Sequence, residues 1–202
     1  MKKLQVTLAS TFMVMALMAC NQDNNGNNDN APEQEADLGT EQGQGADSTE
    51  DLNNANIQVD METAVSEFEN AYPDASISSI ELEAERGTWQ YEIQGLDDEK
   101  EYEIIVDANT QEVTNEREEA LDANDAGGVE RQEDALDMDN IIDPQEAVDI
   151  ALSEAEGAIS SWKLEKGDQV TYYEVTVTNA GNDYDIKLDA TNGEVLGTDR
   201  DD

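Results

Sequence analysis

Histidine is absent from this chain of 202 residues, and cysteine occurs once, at Cys20. Without histidine there is no Ser-His-Asp triad and no imidazole ligand for zinc. A lone cysteine excludes an internal disulfide. No Gly-rich phosphate loop is present, and no apolar run approaches the ~20 residues that span a bilayer. Basic residues are scarce as well, 10 against 50 acidic ones, for a formal charge of −40. A surface of that sign repels nucleic acid and anionic lipid. Cations, basic protein surfaces or salty water suit it better. Carboxylates are so numerous that no pair stands out as a general acid and base, and no catalytic residue is assigned.

The N-terminus has the build of an export signal. Lys2 and Lys3 precede a mostly apolar stretch, Leu4 to Met18, with no acidic residue before Cys20. The stretch ends Leu17-Met18-Ala19-Cys20, which resembles the bacterial lipobox. Small Ala19 fits the cleavage position, and the Cys20 thiolate is the atom that would take diacylglycerol. The alternative is an ordinary secretory signal cut after Ala19, with Cys20 incidental. The lipobox reading makes residues 1–19 a signal peptide and Cys20 the lipidation site. The partner is then the membrane, and the location is its face outside the cytoplasm. Cleavage removes Lys2 and Lys3, so eight basic residues face 50 acids, a mature charge of −42.

Residues 20–56 are rich in Asn, Gln, Asp, Glu and Gly and hold few large apolar side chains. Such composition predicts a disordered acidic tether, extended by its own charge. Two similar blocks follow. In the first, Asp60 is a plausible N-cap, and Met61, Ala64, Val65, Phe68, Ala71 and Tyr72 form one helical stripe stopped by Pro73. In the second, Asp143-Pro144-Gln145-Glu146 opens a helix whose stripe is Ala147, Val148, Ala151, Leu152 and Ala155. Strand-like alternation follows each helix. Ile80 and Leu82, then Tyr91 and Ile93, then Tyr102, Ile104 and Val106 are matched by Trp162 and Leu164, then Tyr173, Val175 and Val177, then Tyr184, Ile186 and Leu188. A period of two with polar partners predicts a sheet buried on one face. Asn192-Gly193 is a tight-hairpin signal before a last strand from Val195. The strands repeat at one offset of 82 residues, from Tyr91 to Tyr173, Tyr102 to Tyr184, and Val113 to Val195, which points to a tandem duplication. The fold class is α+β: two repeats, each one helix packed on a three- to four-stranded antiparallel meander. Their bounds are 57–115 and 140–198, joined by an acidic linker, 116–139.

Both blocks resemble the PepSY domain, related to the propeptides of thermolysin-type peptidases. The shared features are the amphipathic helix, the Tyr-Glu-Ile strand (Tyr91 to Ile93), the Tyr-Glu-Val strand (Tyr173 to Val175), and the closing hairpins Val106 to Val113 and Leu188 to Val195. The second hairpin keeps the family's glycine at Gly193; the first has Gln111 there. The resemblance implies a non-enzymatic protein that binds and restrains an extracellular partner such as a secreted peptidase. No catalytic residue comes with it.

Two further sets of residues stand out. Trp89, Tyr91, Tyr102, Trp162, Tyr173 and Tyr184 are most simply core or sheet-face residues, with a groove lining as the minority reading. In the linker, Asp122, Asn124, Gly127 and Glu133 stand at positions 1, 3, 6 and 12 of an EF-hand-like calcium loop, but Ala126 occupies the fifth, ligating position. The alternative function is therefore an acidic surface protein binding calcium; the main reading needs no cofactor and no metal.

Overall fold

The structure, a computed structural model, describes residues 51–167 and 170–201. The signal segment, Cys20 and the tether as far as Glu50 lie outside them. Each main helix begins at its expected cap. Asp60 Oδ1 accepts from the Thr63 N–H at 2.9 Å, and α1 runs Met61–Ala71. A six-residue helix, α2, spans Val129–Asp134. Asp143 Oδ1 accepts from the Gln145 N–H at 2.8 Å, and α3 runs Pro144–Glu154. Such caps satisfy amide donors that the helix itself leaves unpaired, each contributing about 1 kcal/mol. α1 buries Ala64 and Phe68; α3 buries Ala147, Val148 and Ala151.

Eight strands follow the alternation in the sequence: β1 Ser76–Glu85, β2 Thr88–Leu96, β3 Lys100–Asp107, β4 Val113–Ala120, β5 Ala158–Lys166, β6 Thr171–Asn179, β7 Asn182–Asp189 and β8 Val195–Asp201. One face buries Ile80, Ile93, Ile104, Val106, Leu164, Tyr173, Val175 and Ile186 under the helices. The other carries Glu81, Glu83, Glu92, Lys163, Glu174 and Lys187 and stays open. Helices on one side and charge on the other satisfy the period of two.

The two meanders are not separate sheets. Their first strands, β1 and β5, pair antiparallel and make one eight-stranded sheet in the order β4-β3-β2-β1-β5-β6-β7-β8. The register is Ile80 with Leu164, Glu81 with Lys163, and Leu82 with Trp162. Under the offset of 82, Ile80 corresponds to Trp162 and Leu82 to Leu164. Equivalent residues therefore exchange partners across the seam, as they would in an isologous dimer. The pseudo-two-fold axis passes through Glu81 and Lys163. Two identical chains would place like charges at that point; the duplicated chain places opposite ones, 3.8 Å apart.

The repeats also divide volume differently. Phe68 is fully buried on α1, and Gly95 on β2 makes room for it. A Cβ on Gly95 would come within 2.4 Å of Phe68 Cζ. In the second repeat the same places hold Ala151 and Val177, both fully buried. A large side chain has moved from helix to sheet while the space stays filled, which close packing requires.

Three expectations are corrected. The acidic linker 116–139 is built structure: β4 continues to Ala120, α2 lies within it, and the Leu136 N–H donates to the Ile77 carbonyl. Its helix clamps both repeats at one end of the seam. Arg131 Nε donates to Ser76 Oγ of β1 at 3.0 Å, and Lys166 Nζ of β5 donates to the carbonyls of Gln132 and Ala135. The tether, expected to reach residue 56, gives way to ordered chain by Asp51. There the Asp51 side chain caps a 3-10 turn at Leu52–Asn54 and also accepts from the Ile159 N–H. Finally, Asn192-Gly193 sits in a wider loop rather than a two-residue turn. The Asp189 N–H reaches the Glu194 carbonyl, and Asp189 Oδ1 accepts from Thr191. The short Asx turn fixes the reversal locally and leaves Gly193 at φ 71°.

Candidate binding groove

A cavity of about 970 Å³ opens between the N-terminal ends of α1 and α3, over the seam. Its floor is Leu82, Tyr91 and Trp162, all nearly fully buried. One wall is Met61 and Val65 of α1 with Ile57 of the incoming chain, and Leu52 and Ala55, at a 3-10 turn that packs on β5, line the recess as well. The other is Pro144 and Val148 of α3 with Met138, Ile141 and Ile142. Asp60, Glu62, Glu69 and Asp143 form the rim, and no described lining residue is Lys or Arg.

The duplication explains why the groove exists. In each repeat a tyrosine on the second strand ties the sheet to the chain entering the helix. Tyr91 Oη donates to the Val59 carbonyl at 2.9 Å, and Tyr173 Oη donates to the Ile142 carbonyl at 3.0 Å. Both entering segments are pinned further, by the Val59 N–H on the Ala108 carbonyl and the Ile142 N–H on the Ala190 carbonyl. The two helix starts therefore face each other across the axis, with Leu82 and Trp162 forming the buried floor between them. Trp162 packs edge-on against Tyr91 at 6.2 Å and Tyr173 at 5.8 Å, an arrangement that holds the floor rigid.

The electrostatics follow from burial and from the rim. Burial pushes the Tyr91 hydroxyl well above its ordinary range, and Asp60 and Asp143 push it further. Burial and Asp143 do the same to Tyr173. Asp60 is held below the usual carboxylate value by its hydrogen bonds to Thr63, so it stays charged at neutral pH. The phenols stay neutral.

Of the six aromatic residues singled out in the sequence, only Tyr91 and Trp162 reach the groove. Trp89 and Tyr173 are buried; Tyr102 stacks on Tyr72 at 4.2 Å and donates to Asp97. Tyr184 lies half-buried under Arg200. Sequence reasoning missed the walls supplied by Leu52, Ala55, Ile57, Met138, Ile141 and Ile142. The signal was there: apolar residues inside runs otherwise too polar to need them. In the proposed calcium loop, Asp122 accepts through its backbone carbonyl from Asp125 and Ala126, the Gly127 N–H is engaged by the Asp98 carbonyl, and Glu133 lies on α2. Among the described residues, no three His, Cys, Asp or Glu side chains converge as a metal site would require. Cys20 lies outside the described residues. Among those described, no helix is long and apolar enough to cross a membrane.

A sheet of paired helix-plus-meander units with a recess over their seam defines a class, and comparison with known proteins specifies it. Residues 58–117 and 141–199 each match the PepSY family, described as peptidase propeptide and YPEB domain. The chain belongs to that family, with two tandem copies. It is similar to a candidate lipoprotein of Clostridium difficile 630 solved by crystallography, with 36% sequence identity and a TM-score of 0.73. The match covers 75% of this chain and 99% of that one. Among curated proteins, none matches significantly.

Proposed function

We propose that this is a non-enzymatic protein held by lipid on Cys20 at the outer face of a membrane, where it binds and restrains an extracellular protein partner such as a secreted peptidase. The observation that carries the reading is the groove: a recess on the pseudo-two-fold axis, lined mostly by apolar side chains and ringed by carboxylates. The family's association with peptidase propeptides and the candidate-lipoprotein relative support the same direction. The sheet edges are poorer docking places. β4 carries Glu116, Glu118 and Glu119, and β8 carries Asp199 and Arg200, the kind of charge that discourages strand addition. The chain's net charge would draw in a basic partner, mainly by raising a salt-sensitive on-rate.

The test is to titrate the purified protein against peptidases secreted by the same organism, following binding and peptidase activity together. Saturable binding that weakens with salt, with inhibition and no turnover of the chain's own, is the expected result. Absence of any protein partner at micromolar concentration would sink the reading.

A further inference from the structure

We infer that the groove over the β1–β5 seam is the docking site itself, and that its occupant is a partner segment alternating large apolar side chains with Lys or Arg. The inference rests on the partner-binding reading above and specifies the chemistry of the partner. It is argued from complementarity. The walls, with Ile57, Met61, Val65, Met138, Ile141 and Ile142 only half-buried, offer apolar surface that burial under another apolar side chain would stabilise at ~25 cal/mol per Å². The rim, Glu62 and Glu69 on one side and Asp143 on the other, carries negative charge only. An acidic or purely polar segment would leave that rim repelled or the walls wet. A basic segment without apolar residues would meet charge that is spread over the whole molecule and so gain nothing from this site. Only a segment with both features gains at this place in particular. The cavity, about 970 Å³, stands at the upper end of the ~300–1,000 Å³ range of ligand recesses and has room for several side chains.

The geometry adds a second constraint. Val65 and Val148 occupy equivalent places on α1 and α3, and the two helix starts face each other across the axis. That pair gives the recess one matched apolar contact on each side, whereas Met61 of the first repeat is replaced by Pro144 in the second. Direction would be set by the rim, which is not symmetric: the first repeat supplies Glu62 where the second has Gln145. The occupant's basic residues should lie closer to α1.

The experiment uses the full mature chain and three labelled synthetic peptides of equal length: alternating leucine and lysine, alternating leucine and glutamate, and alternating serine and lysine. Saturable binding of the leucine–lysine peptide alone, at one per chain, is expected. Glu62→Lys with Glu69→Lys should weaken it at least tenfold. Glu112→Lys with Glu156→Lys, the same charge change at exposed positions outside the groove lining, should weaken it no more than threefold. Equal binding of the serine–lysine peptide, or equal weakening by both variant pairs, would overturn the assignment, since attraction would then be global. The two readings fail separately. If a secreted partner binds the wild type and the Glu62→Lys, Glu69→Lys chain alike, the groove assignment falls and the partner reading stands. If the peptide enters the groove but no secreted protein binds, the partner reading falls instead.

Discussion

Replacing Glu81 by glutamine should stabilise the protein at neutral pH and leave it almost unchanged in mild acid. Glu81 stands on the open face at the pseudo-two-fold axis, its side chain 28% exposed. Loss of hydration raises its carboxyl to about 7 from an ordinary 4.5; Lys163 pulls it down, but Glu83, Glu92 and Glu165 push it back up. A folded-state value above the unfolded one means stability is fully present below about pH 4.5 and is lost as pH rises through about 7. The difference corresponds to ~3 kcal/mol for a fully shielded group, and the remaining solvent contact reduces it to about 1–2 kcal/mol. At ~2–4 °C per kcal/mol for a body of this size, Glu81→Gln should raise Tm at pH 8 by about 2–8 °C. At pH 4.5 the two chains should melt together. Asp60, Asp97, Asp107 and Asp189 have lowered values, so their contribution is lost only as pH falls below the usual carboxylate range and does not obscure the window. Thermal melts of both chains from pH 4.5 to 8 make the measurement. A lower Tm for Glu81→Gln at pH 8 would refute the reasoning, because it would mean that the attraction to Lys163 outweighs the cost of dehydrating the carboxylate.

Three further outcomes are expected. Gly95→Val should cost about 3 kcal/mol or more through collision with Phe68, and Phe68→Ala about 3–5 kcal/mol through the cavity it leaves. The double variant, which gives the first repeat the Ala–Val pair of the second, should recover about 1–3 kcal/mol as coupling in a double-mutant cycle by denaturant unfolding; simple additivity would contradict the volume exchange. Gln111 sits at φ 62° where the second repeat has Gly193, so Gln111→Gly should be neutral to stabilising by about 0.5–1 kcal/mol, less whatever its hydrogen bond to Glu67 contributes. Gly193→Ala should instead destabilise, since Gly193 sits at φ 71°, where a side chain is strained, and the added Cβ would also displace Ile150 Cδ1, 2.6 Å away. Cys20→Ser should abolish partition into membrane fractions while the purified protein keeps the wild-type melt; a wild type found wholly soluble with an unmodified N-terminus would remove the anchor.

Much of the fold was legible because its signals are local. Asp60 and Asp143 announce helix starts through the amide donors they satisfy, and Pro73 and Pro144 act through a fixed φ and a missing N–H. Alternation in Tyr91 to Ile93 or Tyr184 to Leu188 needs only the geometry of one strand to show which side faces the core. The repeat was visible for the same reason, since an offset of 82 compares the chain with itself. The family resemblance rested on those local features.

What only the tertiary structure decided is which elements are neighbours. A period of two states that β1 and β5 each have a buried face, but not that their free edges meet, because main-chain hydrogen bonding is the same for every partner. The opposite charges of Glu81 and Lys163 become meaningful only once the register places them on one axis. The groove is a consequence of that pairing. It exists because two helix starts are brought face to face, and its walls come from Leu52, Ile57, Met138 and Ile142, whose apolar side chains looked incidental in acidic runs until the sheet gave them a surface to cover.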